Sequence, residues 1–205
     1  IEILNEQIRS AEQTDEHMQS RLNAIDKDKE EKISLCRDYE AQKSGIEEQI
    51  LAIESGKKEA EQAGFVECVY LDAVHHKYFQ EGSSCNIFFV LKDKTIVTPE
   101  LGDTILPGIT RKSVIALAKE KGYKVEERPV SVKEVQKKAV ECFVTGTAAG
   151  ISPMSSITDL NGKKTVFGEG FGPVAKELQH ELKGRQYGSL EDPNHWNTVV
   201  IPGNK

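Results

Sequence analysis

Two rhythms of hydrophobic residues divide the chain. In the first, apolar positions recur in alternating steps of four and three: Leu4, Ile8, Ala11, Met18, Leu22, Ile25, then Cys36, Tyr39, Ile46, Ile50 and Ile53. Asp15, Lys29, Lys32 and Lys43 interrupt the seam, and charged residues occupy the other faces. A heptad spacing held over so many turns predicts one long helix in a coiled coil. A helix of this kind does not fold as an isolated domain, so its seam calls for a second chain or an antiparallel return. The charged stretch 26–31 is where a return would fall, although no Gly or Pro supplies a turn there.

After Gly64 the pattern becomes short apolar runs separated by turn residues. Strands are expected at 66–71, around Tyr78-Phe79, and at Asn86–Leu91, with Glu81–Ser84 as a loop. Asp93-Lys94 turns the third run back into Thr95–Thr98, and 123–128 alternates as a further strand. Helical spacing at Val114, Ile115, Leu117 and Ala118 ends at Gly122. A short helix over 130–138 takes Ser131 as its cap, with Glu134 completing a capping box. The run 139–144 leads into Thr145-Gly146-Thr147-Ala148-Ala149-Gly150, and Pro173 opens a last helix with Val174, Leu178 and Leu182 on its apolar face. Strands and helices interleave, so the class is α/β in the mixed, α+β sense.

Composition sharpens the division. Residues 1–62 hold 16 acidic and 9 basic side chains, a net of −7 within a total of −6. All seven prolines, and every aromatic residue except Tyr39, lie beyond that segment. The chain therefore reads as a helical segment, 1–62, followed by a globular domain, 63–205. The net charge disfavours a nucleic-acid partner. No apolar run is long enough to span a bilayer as a helix. The four widely spaced cysteines form no Cys-x-x-Cys pair, which excludes zinc ribbons and disulfide scaffolds and fits a cytoplasmic location. His75-His76 diverge as neighbours and have no second cluster, so no metal site is expected.

One stretch carries candidate chemistry. Leu106-Pro107-Gly108-Ile109-Thr110-Arg111 is a turn feeding a helix start, where free backbone N–H groups meet the positive end of the helix dipole. That is an anion seat, or simply a turn with Thr110 as the helix cap. A strand ending in the small residues 145–150 would let a ligand approach the backbone closely.

Together, Val69-Tyr70-Leu71-Asp72, Glu81 with Asn86-Ile87-Phe88-Phe89, Leu106–Arg111, Gly146-Thr147-Ala148-Ala149 and Ile151-Ser152-Pro153 resemble the ordered motifs of branched-chain aminotransferases. Arg185-Gln186-Tyr187-Gly188, Asp192 and Trp196 extend the resemblance over about residues 57–201. The resemblance implies the larger, C-terminal domain of a fold-type IV pyridoxal-phosphate enzyme. Such an enzyme moves amino groups between Leu, Ile or Val and 2-oxoglutarate. The partner expected for this chain is a further copy of itself, as a homodimer or other homo-oligomer through the coiled coil. It assigns the cofactor phosphate to the backbone of Ile109 and Thr110 with help from Thr147. It assigns the pyridine nitrogen to Glu81, and the substrate carboxylate to Thr147 and Ala148. Gly82-Ser83-Ser84-Cys85 departs from the family pattern, with Ser83 standing where glycine is expected and threatening to crowd the cofactor.

The family's Schiff-base lysine motif, Ala-Lys-x-Gly-Gly-Asn-Tyr, has no match. The nearest candidate is Lys43 in Lys43-Ser44-Gly45. The heptad segment stands in place of the small domain and resembles a piece of a long coiled-coil arm, such as that of a chromosome-maintenance ATPase. Two expectations follow: an aminotransferase domain incomplete in this chain, or a non-catalytic fusion or truncated fragment acting as a coiled-coil scaffold.

Overall fold

A computed structural model describes residues 2–198. The seam side chains of Ile8, Ala11 and Ile53, and the last residues of the resemblance at 199–201, lie outside the described set. Compact units divide at Glu59/Ala60.

The first unit is helical throughout. Helix α1 (Glu2–Gln62) runs without a break through the charged stretch where a hairpin was one alternative. With neither Gly nor Pro at 26–31, nothing interrupts the hydrogen-bond ladder, and Lys32 instead pairs one turn back with Asp28 at 2.8 Å. The seam residues Leu4, Met18, Leu22, Ile25, Tyr39, Ile46 and Ile50 are all exposed.

The second unit is built on a five-stranded mixed sheet. In sheet order it comprises β5 (Val125–Glu127), β4 (Ile96–Thr98), β3 (Asn86–Leu91), β6 (Ala139–Gly146) and β7 (Gly150–Pro153). Only the β4–β5 pairing is parallel, bridged by α2 (Ile109–Glu120). Central strand β3 is buried along its whole length, which explains its unbroken apolar run. Phe88 and Val90 face one side, packing with Phe143, Val114, Leu117, Leu178 and Leu182 beneath α2 and α4 (Pro173–Gln186). Ile87, Phe89 and Leu91 face the other, joined by Val97 of β4 and packed against Phe79, Val130 and Val135 of the layer that includes α3 (Val132–Lys138). Phe88 and Phe143 stack with ring centroids 5.1 Å apart.

Four local expectations are corrected. The first strand, β1, is only Val69–Leu71, and its partner β2 (Phe79–Gly82) includes Glu81 and Gly82, which the sequence reading placed in a loop. Strand pairing between Val69 and Gly82 carries that backbone two residues further than the polar composition suggests. The cap of α2 is Gly108, not Thr110, because the backbone is still extended at Gly108 (φ −62°, ψ 136°) and helical from Ile109. The capping box at α3 forms only by half. Ser131 Oγ accepts from Glu134 N at 3.2 Å, while the Glu134 carboxylate is drawn to Arg128 at 2.8 Å. The hairpin of β8 (Ser156–Thr158) and β9 (Lys164–Val166) was not anticipated. Its signal is Asp159-Leu160-Asn161-Gly162, where Asp159 Oδ1 accepts from the N–H groups of Asn161 and Lys163 and Gly162 takes φ +79°.

The start of α4 is closed by a side chain from the sheet. Buried Glu141, on β6, accepts from Val174 N at 3.1 Å and Ala175 N at 3.0 Å. A Cβ on Gly172 would meet that carboxyl at 2.1 Å, so glycine is required there. Glu141→Ala removes the cap and strands two buried N–H groups. It is expected to cost about 2–6 kcal/mol in urea unfolding, at roughly 1–3 kcal/mol per unpaired group. A cost under about 0.5 kcal/mol would show that the cap contributes little.

Candidate functional site

Strand β2 carries Glu81 to the edge of a cavity of about 160 Å³ whose walls come from three places in the sequence. They are the β2–β3 turn (Glu81 to Asn86), the start of α2 (Leu106, Gly108, Ile109, Thr110) and the end of β6 (Thr145, Gly146, Thr147). The structure thus brings together Glu81, Ile109, Thr110 and Thr147 from the predicted set. Ala148 lies in the exposed turn between β6 and β7, beyond the cavity wall. Lys43 lies mid-way along α1, exposed, with Glu47 at 3.7 Å.

Asn86 organises the cavity. This buried amide opens β3, and its Nδ2 donates to Glu81 Oε2 at 3.1 Å and to the Leu106 carbonyl at 2.9 Å. Leu106 N donates to the same Glu81 oxygen at 3.0 Å. The carboxylate is thereby tied to the turn that launches α2. Gly108 is essential to this closure, since a Cβ there would meet Asn86 Oδ1 at 2.3 Å. Burial raises the pKa of Glu81 above the usual carboxylate range, and the Leu106 N–H partly offsets it.

Helix α2 begins with no side-chain cap, so the N–H groups of its first turn have no intrahelical acceptor. Arg111 fixes this end. Its buried guanidinium donates to the Pro99 carbonyl at 2.9 Å and to Glu127 at 3.0 Å. The hydroxyl of Thr145, which lines the cavity, is buried and has no hydrogen-bond partner.

The β2–β3 turn is held from outside by Glu67. Its carboxylate accepts from Ser83 N at 2.9 Å, from Cys68 N at 3.0 Å and from the hydroxyls of Ser83 and Ser84. Burial pushes the Glu67 pKa up, but these donors outweigh it and the net shift is downward. Burial, with the Glu67 charge close by, pushes the Cys85 thiol up to about 12, so it stays protonated. Ser83, expected to crowd the cavity, has its hydroxyl engaged by Glu67. His75 pairs with Asp72 through Nδ1 at 3.2 Å, and no group of three or more His, Cys, Asp or Glu among the described residues could hold a metal.

Sequence reasoning quoted Asn86 without giving it a role, although an Asn opening a wholly apolar strand is itself a signal of a buried polar contact. Thr145 stood in the small-residue run 145–150 without a role of its own, while Glu67 was missed, and nothing adjacent to it in sequence marks it.

The arrangement is an α/β domain whose cavity is lined by both the backbone donors of a helix start and a carboxylate. That chemistry suits a small ligand with an anionic group and a basic nitrogen. The amino-transferase class IV family matches residues 50–157, more than half of the chain, and the chain belongs to that family. The match begins at residue 50, inside α1.

Among its relatives is branched-chain-amino-acid aminotransferase 5, chloroplastic, of Arabidopsis thaliana. It is 47% identical over 141 residues, which are 69% of this chain and 34% of that protein. The crystal structure of the Escherichia coli branched-chain amino acid aminotransferase superposes with a TM-score of 0.60 at 38% identity, covering 68% of this chain and 43% of that one. The Thermobaculum terrenum enzyme in its PLP form gives 0.56 at 34% identity, with 64% and 41% covered. The chain spans about a third of the length of the curated relatives it matches.

Gly108→Ala is expected to displace Asn86 and open the Glu81–Leu106 link. Overpacking of this kind costs about 1–3 kcal/mol, measurable by denaturant unfolding. An unchanged midpoint would mean that Asn86 does not need the space.

Proposed function

We propose that residues 60–198 are the cofactor-binding part of a branched-chain-amino-acid aminotransferase, and that they hold pyridoxal 5'-phosphate. The observation that carries this reading is the uncapped start of α2 and the Glu81 carboxylate facing one cavity. The donor set fits the group at both ends. The N–H groups of Ile109 and Thr110 would take the phosphate, with the unpartnered Thr145 hydroxyl and Thr147 beside them. Glu81 would hold a proton on the pyridine nitrogen. Thr147 and Ala148, in the small-residue turn, would offer N–H groups to a substrate carboxylate. When bound, the cofactor supplies an electron-withdrawing ring that carries an amino group between an amino acid and a 2-oxo acid. The PLP-form relative and the branched-chain names of the others support this choice of ligand and substrate class.

The residues around the cavity include no lysine, and this favours a second reading for this chain: binding without turnover, in a protein whose exposed α1 seam makes it a coiled-coil homo-oligomer. Lys43 is the candidate that would restore catalysis. No helix among the described residues is long and apolar enough to cross a membrane, and all four cysteines are free. We place the protein in a reducing, cytoplasm-like compartment.

Pyridoxamine 5'-phosphate needs no lysine and therefore tests the cavity alone. Calorimetry is expected to show saturable binding that Glu81→Gln weakens about tenfold, equivalent to 1.4 kcal/mol. Affinity should fall as pH drops through the raised titration of Glu81, because only the ionised carboxylate pairs with a protonated ring nitrogen, and Glu81→Gln should flatten that limb. No binding of either pyridoxamine or pyridoxal phosphate defeats the proposal. With pyridoxal phosphate, a borohydride-fixed adduct at Lys43 supports the catalytic reading. Binding without any adduct supports the scaffold.

A further inference from the structure

The α1 seam is apolar at most positions but carries one acid and three lysines, and these charges discriminate between ways of pairing two copies. In an in-register parallel pair each seam residue meets itself. Asp15 would face Asp15, and Lys29, Lys32 and Lys43 would each face their own copy, giving four like-charge contacts in the seam. All four side chains are exposed in the single chain, and Lys32 and Lys43 make only exposed one-turn pairs with Asp28 and Glu47 that a partner's charges can replace.

An antiparallel pair changes every one of these contacts. We propose that two copies of the chain associate through α1 in antiparallel fashion, with Leu22 of each facing Ile25 of the other and Asp15 facing Lys32. This rests on the coiled-coil reading given above and specifies its partner and orientation. In that register Lys29 lies across from Met18 and Lys43 from Leu4, where their methylene stems cover apolar surface while the ammonium groups reach water. Beside the seam, Arg21 faces Asp28 of the second copy, and no like charges oppose each other.

Neighbouring registers do worse. Sliding one heptad in one direction sets Glu12 against Glu40, and Asp26 and Asp28 each against themselves. Sliding two sets Lys29 against Lys32. Sliding one heptad the other way leaves Asp15 opposite Ile25 with no counter-charge. The chosen register makes an opposite-charge pair at the only acidic seam position, and polar seam residues are known to fix register and orientation. The paired stretch, Leu4 to Lys43, ends before residue 50, where the aminotransferase match starts. Self-pairing therefore uses none of the family sequence.

Sedimentation equilibrium and thiol oxidation of the full chain test this. The expected result is a dimer that Asp15→Lys or Lys32→Asp each weakens about tenfold, with the double exchange returning association to within about threefold of wild type. In a parallel pair the exchange would only swap one set of like charges for another and could not rescue. Exposed Cys36 gives a second readout. Antiparallel pairing holds the two Cys36 residues about 40 Å apart at 1.5 Å per residue, so copper-catalysed oxidation should yield no Cys36–Cys36 peptide by mass spectrometry. That disulfide in high yield overturns the orientation while leaving a coiled coil in place. A strict monomer, or a dimer indifferent to all the charge variants, overturns the coiled coil as well.

Discussion

The amide of Asn86 is the contact on which the cavity depends. Its two N–H bonds join a carboxylate on β2 to a carbonyl on the turn before α2, elements 25 residues apart between Glu81 and Leu106. Asn86 itself is buried, so its amide would be costly to leave unpaired, while Glu81 is half-buried and Leu106 exposed. The bond geometry therefore sets where the helix start sits relative to the carboxylate. Gly108 contributes by having no side chain, and Arg111 by anchoring the first turn of the helix from behind. A ligand reading two ends of this cavity reads a spacing that Asn86 fixes.

Around that contact the electrostatics are divided by burial and donors. Glu81 has few donors for its burial and its pKa rises, whereas Glu67, just outside the wall, gathers several and its pKa falls. The two carboxylates thus play separate parts. Glu67 stays ionised and holds the Ser83–Ser84 turn in place, and Glu81 is poised to exchange charge with what the cavity holds. Cys85 between them is silenced as a nucleophile because both burial and the neighbouring negative charge oppose its thiolate.

Much of this was legible in the sequence because local rules decided it. The all-buried β3 shows in Asn86–Leu91, the α4 start in Gly172-Pro173, and the α2 start in Pro107-Gly108 before a helical pattern. The misreadings came where tertiary pairing overrode composition. Glu81 and Gly82 are polar and small, yet they are strand residues because β1 lies beside them. Thr110 has the chemistry of a cap, but the cap falls two residues earlier, at Gly108, and glycine is there because Asn86 needs the room. Glu67 and Glu141 act on backbone groups 16 and 33 residues away, and no spacing rule reaches that far. The family resemblance supplied what local rules could not, by fixing the order of the motifs. Its missing lysine remains the sharpest departure from it.

Helices α2 and α4 both pack against the same side of the sheet, and both begin with an extended glycine and an electropositive turn. Only one is open. At α4 the protein supplies its own carboxyl, Glu141, packed so closely on Gly172 that a larger residue there would displace it. Glu141 closes the α4 start from within the chain, which leaves the start of α2 as the one that lines the cavity with its backbone donors unclaimed.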